Sequence, residues 1–300
     1  MRFAFVEAQK QKHSIELLCR VMQVSQRGFY AWRRRPKSKH QERDEGLAEQ
    51  IKMFHCGSRM TYGSPRIYRD LKAAGQRVGK KRVARLMKQH QLRGKCKRRF
   101  KVTTQQNPKR QVANNLLVQN FQADSPNQKW VSDITYIVTK DGWLYLAVVL
   151  DLYSRRVIGW SMSERITNDL TLKALRMAIQ CRRTHSKADF RGLIFHSDKG
   201  SQYASTAFKL ELEKHHIAQS MSGKGNCFDN AVSESFFATL KTEGVKSIGK
   251  CGYNTRQVAQ TAIFAYIEGF YNRTGRHSTL GFLSPLDFEN QNHHYARQVA

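Results

Sequence analysis

Apolar residues along this chain fall into two textures. Up to about residue 93 they recur every three or four positions, the period of a helix with one buried face. From Trp130 to Met221 they alternate or run together in short blocks, as strands do, with helical stretches between. In the first texture Ile15, Leu18, Val21 and Met22 form one stripe and Phe29 and Trp32 a second, with Ser25 placed to cap the second helix and Pro36 to stop it. Ser64 is placed to cap a later helix that has Pro65 at its first position, Ile67, Tyr68 and Leu71 on one side and Gly75 at its end. Lys80 to His90 then turns Val83, Leu86 and Met87 inward. Both helix pairs have helix-turn-helix spacing, and there is no other internal repeat. Residues 37–50 read as a linker or the start of a solvated helix, and residues 94–123 as a basic, Gln/Asn-rich connector without a core pattern.

The second texture opens with Trp130 to Val138, a strand, followed by the hairpin turn Asp141-Gly142. Trp143 to Leu152 is almost wholly apolar, as a central strand covered on both faces should be, and Arg156 to Ser161 makes a third strand. An amphipathic helix over Thr171 to Arg183 precedes a short strand, Gly192 to Phe195, that ends at Asp198. A helix from Ser205 to His215, a strand from Ile217 to Met221, the glycine-rich loop from Ser222 to Asn226 and a last helix carrying Glu234 complete the series. That order is the order of the ribonuclease-H-like α/β fold, a mixed five-stranded sheet with helices, here preceded by all-α helix-turn-helix modules. The expected segments are 1–36 and 37–93 for the two helical modules, 94–123 for the linker, 124–245 for the α/β core and 246–300 for a helical extension and a tail with the loop signal Ser284-Pro285.

Charge sharpens this division. The chain carries 52 Lys+Arg against 23 Asp+Glu, a net +29, which implies a polyanionic partner. Residues 1–120 hold 30 of those cations and only 7 of the anions, so the front is the handle and the remainder is a nearly balanced globular domain. Candidate phosphate contacts are Arg33, Arg34 and Arg35 at the first helical edge, Lys80, Lys81, Arg82 and Arg85 on the second reader helix, and Lys97, Arg98 and Arg99 in the connector. No apolar run is long enough to span a bilayer and the first residues lack the apolar core of a signal peptide, so a cytoplasmic, nucleoid-associated chain is expected. The six scattered cysteines form no C-x-x-C pair and read as buried or half-buried free thiols, and the histidine pairs are unsuited to zinc.

Three carboxylates then stand out. Asp133 lies mid-strand among apolar neighbours, where an unpaired charge is costly; Asp198 closes a strand; Glu234, with thirty-five residues between it and Asp198, sits in a helix that could pack across that strand end. Three hard oxygen donors suit Mg²⁺, with Mn²⁺ able to substitute, and two such ions could serve a phosphoryl transfer without any histidine base. An arginine partner for Asp133, a turn-capping role for Asp198 and a solvent-facing Glu234 are the competing explanations. Lys241 shares the Glu234 face and suits a phosphate near the reacting end, whereas Asp141, Asp151, Asp229 and Glu243 are explained by turn or cap roles.

The motifs Trp130-Val131-Ser132-Asp133-Ile134-Thr135-Tyr136, His196-Ser197-Asp198-Lys199-Gly200-Ser201-Gln202-Tyr203 and Asp229-Asn230-Ala231 through Glu234-Ser235-Phe236-Phe237 with Lys241 resemble those of the DDE transposases of the insertion-sequence-three family. The likeness is to the second-frame protein (OrfB), whose catalytic domain is similar to retroviral integrases. Thr61 to Ile67, Lys81 to Met87 and Tyr271 through Pro285 resemble the family's flanking segments. The resemblance implies a catalytic and metal-binding triad of Asp133, Asp198 and Glu234, Mg²⁺ as cofactor, and strand nicking followed by transfer of a 3′-hydroxyl end. It also implies double-stranded DNA as partner, a homo-oligomer on that DNA, and a first-frame protein as possible fusion partner that supplies terminal-repeat recognition. The retroviral His-His-Cys-Cys zinc module is missing at the front. A structure-selective nuclease and a non-catalytic DNA-binding regulator are the alternatives. If the basic front is the handle, affinity for duplex DNA should fall by about a thousandfold between roughly 50 and 200 mM salt, because phosphate contacts release counterions. A fluorescence-anisotropy titration giving a flat plot of log K against log salt would refute that.

Overall fold

The computed structural model describes residues 1–95, 113–118, 120–185, 189–222, 230–245 and 252–299. These divide into two compact units, Met1–Met53 and Phe54–Ala300.

In the first unit three short helices, α1 (Arg2–Gln9), α2 (Ile15–Val21) and α3 (Gln26–Arg34), enclose Val6, Leu18, Cys19 and Phe29. Ser14 and Ser25 cap α2 and α3 by accepting the backbone N–H groups of Leu17 at 3.3 Å and Gly28 at 3.0 Å. Helix α1 has no counterpart in the sequence expectation; with Val6 its one buried residue, it is too short to show a period. Residues 37–50 prove to be the start of a helix, since α4 runs from Lys39 to Gly57.

In the second unit α5 (Ser64–Ala73) and α6 (Lys80–Gln89) pack through Ile67, Leu71, Val83, Leu86 and Met87. Here Gly63 occupies the cap position with no side-chain bond, so Ser64 starts the helix beside Pro65 instead of capping it. The sheet comprises β1 (Lys129–Thr139), β2 (Gly142–Asp151), β3 (Val157–Ser163), β4 (Ile194–Ser197) and β5 (Ala218–Met221) in the order β3-β2-β1-β4-β5. Strands β1, β2 and β3 pair antiparallel, and β4 and β5 add in parallel. Helix α7 (Asn168–His185) covers one face, where Ala147, Val149, Ala174, Leu175 and Ala178 share a core. Its close approach depends on Gly159, since a Cβ there would lie 2.2 Å from the Ala174 carbonyl oxygen. Alternate residues Leu146, Val148 and Leu150 face the other way, toward α9 (Ala231–Thr239) and α10 (Arg256–Phe264). Between β4 and β5 lies α8 (Thr206–Lys214). Both α9 and α10 continue with a wider, π-helical turn, Leu240–Val245 and Ala265–Tyr271 respectively.

Ser284-Pro285, expected as a loop, instead starts α11 (Pro285–Val299). Ser284 caps it, accepting the Asp287 N–H at 3.1 Å and donating to the Asp287 carboxylate at 2.7 Å. Helix α11 brings Glu289 into a buried network. Arg182 Nη2 bonds Asp151 at 2.7 Å and Glu289 at 2.7 Å, Arg156 Nη1 reaches Glu289 at 2.8 Å, and the Ser154 hydroxyl donates to Glu289 at 2.6 Å. Of the cysteines, Cys19 is buried and Cys181 half-buried as expected. Cys56 is exposed near the end of α4, against expectation, and Cys96, Cys227 and Cys251 lie outside the described residues.

Burial alone would raise the Glu289 pKa, but hydrogen bonding and charge from Arg182 outweigh it and set it at about 2. A depressed carboxylate contributes stability above its unfolded pKa and loses it as pH falls through the folded value. The thermal midpoint of the wild-type chain should therefore fall between about pH 5 and pH 2, and Glu289→Gln should flatten that part of the profile. Arg182→Met, which leaves buried Asp151 without its arginine and Glu289 with Arg156 and Ser154 alone, should cost about 3–5 kcal/mol by urea denaturation at neutral pH.

Candidate active site

Parallel pairing brings the first two acids together. Ser132 on β1 stands opposite Ser197 on β4, so the next residues, Asp133 and Asp198, emerge side by side where β4 ends. Neighbouring strands run about 4.8 Å apart, which sets the scale of their separation. Asp133 Oδ1 accepts the N–H of Ile134 at 2.7 Å, and Asp198 Oδ1 accepts that of Gly200 at 3.0 Å, closing the turn after β4. The turn-capping role considered for Asp198 is thus present, and it fixes the carboxylate at the strand end. Among the described residues no lysine, arginine or histidine forms an ion pair with Asp133, Asp198 or Glu234.

The electrostatics follow from that arrangement. Burial, then the charge of Asp198 and, more weakly, of Glu234, push the Asp133 pKa up to about 8, against the opposing pull of its own backbone bond and of Lys241. Burial raises Asp198 as well.

Glu234 comes from α9, whose Ser233, Phe236 and Phe237 are buried while Glu234 itself is exposed. Helix α9 packs on β1, and the influence of Glu234 on Asp133 shows that its carboxylate reaches the same end of the sheet. Lys241 lies seven residues beyond Glu234, in the π-helical segment Leu240–Val245, its Nζ 4.9 Å from the Tyr136 ring centre. Underneath, the Ser132 hydroxyl donates to the Val148 carbonyl at 2.7 Å and lies 2.8 Å from the Tyr203 hydroxyl, a support for β1 that the sequence did not disclose. Tyr203 sits in the His196-to-Tyr203 motif, and that was the signal available. His196 is fully buried, with Nδ1 2.8 Å from Ser220 Oγ, which makes it part of the strand packing.

The competing carboxylates have other employment. Asp151 accepts the N–H groups of Tyr153 and Asn127, each at 3.0 Å, and joins the Arg182 network, more than the turn role expected of it. Asp141 accepts the N–H of Arg256 at 3.1 Å. Glu243 caps nothing: it is buried and accepts from Arg66 Nη1 at 2.8 Å and from the Tyr266 hydroxyl at 3.1 Å. Asp229 lies outside the described residues.

Of the basic residues, Lys80, Lys81 and Arg85 are exposed on α6 and Arg82 is half-buried; Lys80 lies 5.6 Å from the Tyr68 ring. Arg33, Arg34 and Arg35 are exposed, but Arg33 Nε is 3.8 Å from Glu7. Lys97, Arg98 and Arg99 lie outside the described residues.

Asp133 and Asp198 have raised proton affinity and, among the described residues, no protein cation pairs with them; with Glu234 they offer carboxylate oxygens of the kind a hard divalent ion takes. In this conformation, among the described residues, no three acidic, histidine or cysteine side chains converge tightly enough to hold one. Two donors are set by the sheet, and the third is offered by a helix face open to solvent.

Residues 123–227 and 234–292 match models of an integrase core domain, and residues 42–100 match a model of an HTH-like domain. The chain is 44% identical to the Insertion element IS600 uncharacterized 31 kDa protein of Shigella sonnei, over 93% of this chain and 100% of that protein. It is 41% identical to the Transposase InsF for insertion sequence IS3A of Escherichia coli (strain K12), over 97% of this chain and 99% of that one. Among solved structures it is similar to the HTLV-2 integrase catalytic core domain in complex with magnesium in its dimeric form, with TM-score 0.42 and 20% identity over 56% of this chain and 99% of that one. A simian T-cell lymphotropic virus intasome in complex with PP2A regulatory subunit B56 gamma gives TM-score 0.46 and 17% identity over 81% and 74%.

A carboxylate whose folded pKa is raised weakens the fold progressively as pH climbs from the unfolded value toward the folded one. Asp133→Asn should therefore raise the thermal midpoint of the metal-free chain by about 2 °C or more at pH 8 and leave it nearly unchanged at pH 4. Differential scanning fluorimetry in chelator would show this, and equal midpoints at pH 8 would count against the crowding of these acids.

Proposed function

The chain belongs to the IS3 family of transposases, and from that premise we propose that Asp133, Asp198 and Glu234 carry out its DNA cutting and joining. As a transposase of that family it is a DNA polynucleotidyl transferase acting in the movement of an insertion sequence. The observation that carries the assignment is the pair Asp133 and Asp198. They stand side by side by strand register, both with raised proton affinity, and no protein cation pairs with either among the described residues.

Asp133 and Asp198 would hold two divalent ions between them, with Glu234 as the third ligand supplied from α9. When bound, Mg²⁺ or Mn²⁺ supplies the Lewis acidity that favours an attacking oxygen and a leaving oxygen at phosphorus. The chain's own part is to fix Asp133 from both flanking strands, to fix Asp198 through Gly200, and to keep the site free of a competing arginine. Lys241, on the Glu234 side, meets a phosphate of the bound strand. The nucleophile is water in the nicking step and a 3′-hydroxyl end in the joining step.

The HTH-like match supports duplex DNA as partner, gripped by the lysines and arginines of α6 and of the first unit. Assembly as a homo-oligomer on the element ends and fusion to a first-frame protein belong to the same reading. Among the described residues no helix is long and apolar enough to cross a membrane.

Asp133→Asn, Asp198→Asn and Glu234→Gln should each reduce nicking and strand transfer on the element's own ends to background while DNA affinity stays within about threefold. Gel analysis of labelled ends separates the outcomes. Wild-type-like joining by any of the three would overturn the triad, and hydrolysis without joining by the wild type would favour a nuclease.

A further inference from the structure

The HTH-like match begins at residue 42, so α2 and α3 lie outside it. Their geometry is nevertheless that of a reading pair. The turn between them passes through Gln23 at φ 53°, a left-handed bend, and closes with the Val24 N–H on the Cys19 carbonyl at 3.0 Å. Phe29 turns inward against Phe3 and Trp32, with ring centres 6.3 and 6.1 Å away. Gly28 fits beneath Phe3, since a Cβ there would come within 3.3 Å of that ring. At about 100° per residue the side opposite Phe29 carries Arg27, Tyr30, Ala31 and Arg34, with Gln26 at the N-terminal edge, and all five are exposed. Arg33 is turned aside toward Glu7.

Helix α6 repeats this spacing with different chemistry. Its outward stripe is Lys81, Ala84, Arg85 and Lys88, and Arg85 Nη1 bonds Gln89 Oε1 at 3.1 Å. Arginine and glutamine present paired donors and acceptors that match guanine and adenine edges, whereas lysine is a point charge suited to phosphate.

We propose that base sequence is read by α3, through Gln26, Arg27 and Tyr30 in the major groove, while α6 grips the backbone without reading it. The N-terminal half of a reader helix is the part that reaches base edges, and Ala31 leaves room for the groove wall to approach. This rests on the DNA-acting reading above but not on the catalytic triad.

The test is selection of binding sites by the full chain from a randomised duplex library without divalent metal, followed by affinities on the selected site at several salt concentrations. Arg27→Lys, which keeps the charge, and Gln26→Ala or Tyr30→Ala should each abolish an about tenfold base preference at one or two positions, leaving the salt slope unchanged. Lys81→Ala and Lys88→Ala should weaken all sequences alike and lower the slope by about one each. An unchanged base profile in Arg27→Lys and Tyr30→Ala, a profile altered by the α6 variants, or a wild-type chain without base preference would overturn the inference. Triad variants that lose strand transfer yet keep the wild-type profile would leave it standing, which separates its failure from that of the catalytic assignment.

Discussion

One carboxylate held in a sheet beside a second is the constraint around which this structure is arranged. Strand β1 is bonded to β2 on one side and β4 on the other, so Asp133 cannot swing away from Asp198 without breaking ladder bonds. The turn at Gly200 holds Asp198 in place, and the Ser132, Val148 and Tyr203 contacts brace the strand below. Burial raises the proton affinity of both, and the charge of Asp198 raises that of Asp133 further, a cost that a proton or a cation from outside can meet. The fold accepts an instability here that it avoids elsewhere.

That contrast is informative because, among the described residues, the buried acids Asp151, Glu243 and Glu289 and the half-buried Asp70 each have an arginine partner. Asp151 and Glu289 share Arg182, Glu243 takes Arg66 and the Tyr266 hydroxyl, and Asp70 takes Arg276. Each of these pairs joins segments far apart in sequence: α5 to the helical run that carries Glu234, α7 to α11, and α5 to the segment after α10. Buried ion pairs seldom add much net stability, but removing one partner is costly, so they specify which segments meet. Arginine therefore separates the acids that join distant elements from Asp133 and Asp198, which pair with no cation among the described residues.

Much of this was legible in one dimension because it depends on period and punctuation. The apolar run of β2 announced a strand covered on both faces, Ser25 announced the cap of α3, and the order of strands and helices gave the sheet. Asp133 could be singled out as an acid inside an apolar strand, Asp198 as one closing a strand, and Glu234 by its spacing on the helix that follows. What escaped depends on partners distant in sequence. Glu243 and Asp151 looked like turn or cap residues because nothing near them reveals Arg66 or Arg182. Ser284-Pro285 looked like a loop signal because the same two residues also start a helix, and only the packing of Glu289 decides between the two. Cys56 was expected to be buried or half-buried, yet its place near the end of α4 leaves it exposed.

The third carboxylate is held by different means from the first two, and that has a physical consequence. Asp133 and Asp198 are placed by backbone hydrogen bonds, whereas Glu234 is placed by side-chain packing of α9, with Phe236 against Tyr271 at 4.8 Å and Leu240 buried beyond it. The same helical run ends at Glu243, which Arg66 on α5 holds at 2.8 Å. The position of Glu234 along the sheet end thus depends on where α5 sits, and α5 packs directly on α6, the helix with the basic outer face. A displacement of α5 would therefore be passed to the helical run that carries Glu234, whereas Asp133 and Asp198 are held by the sheet.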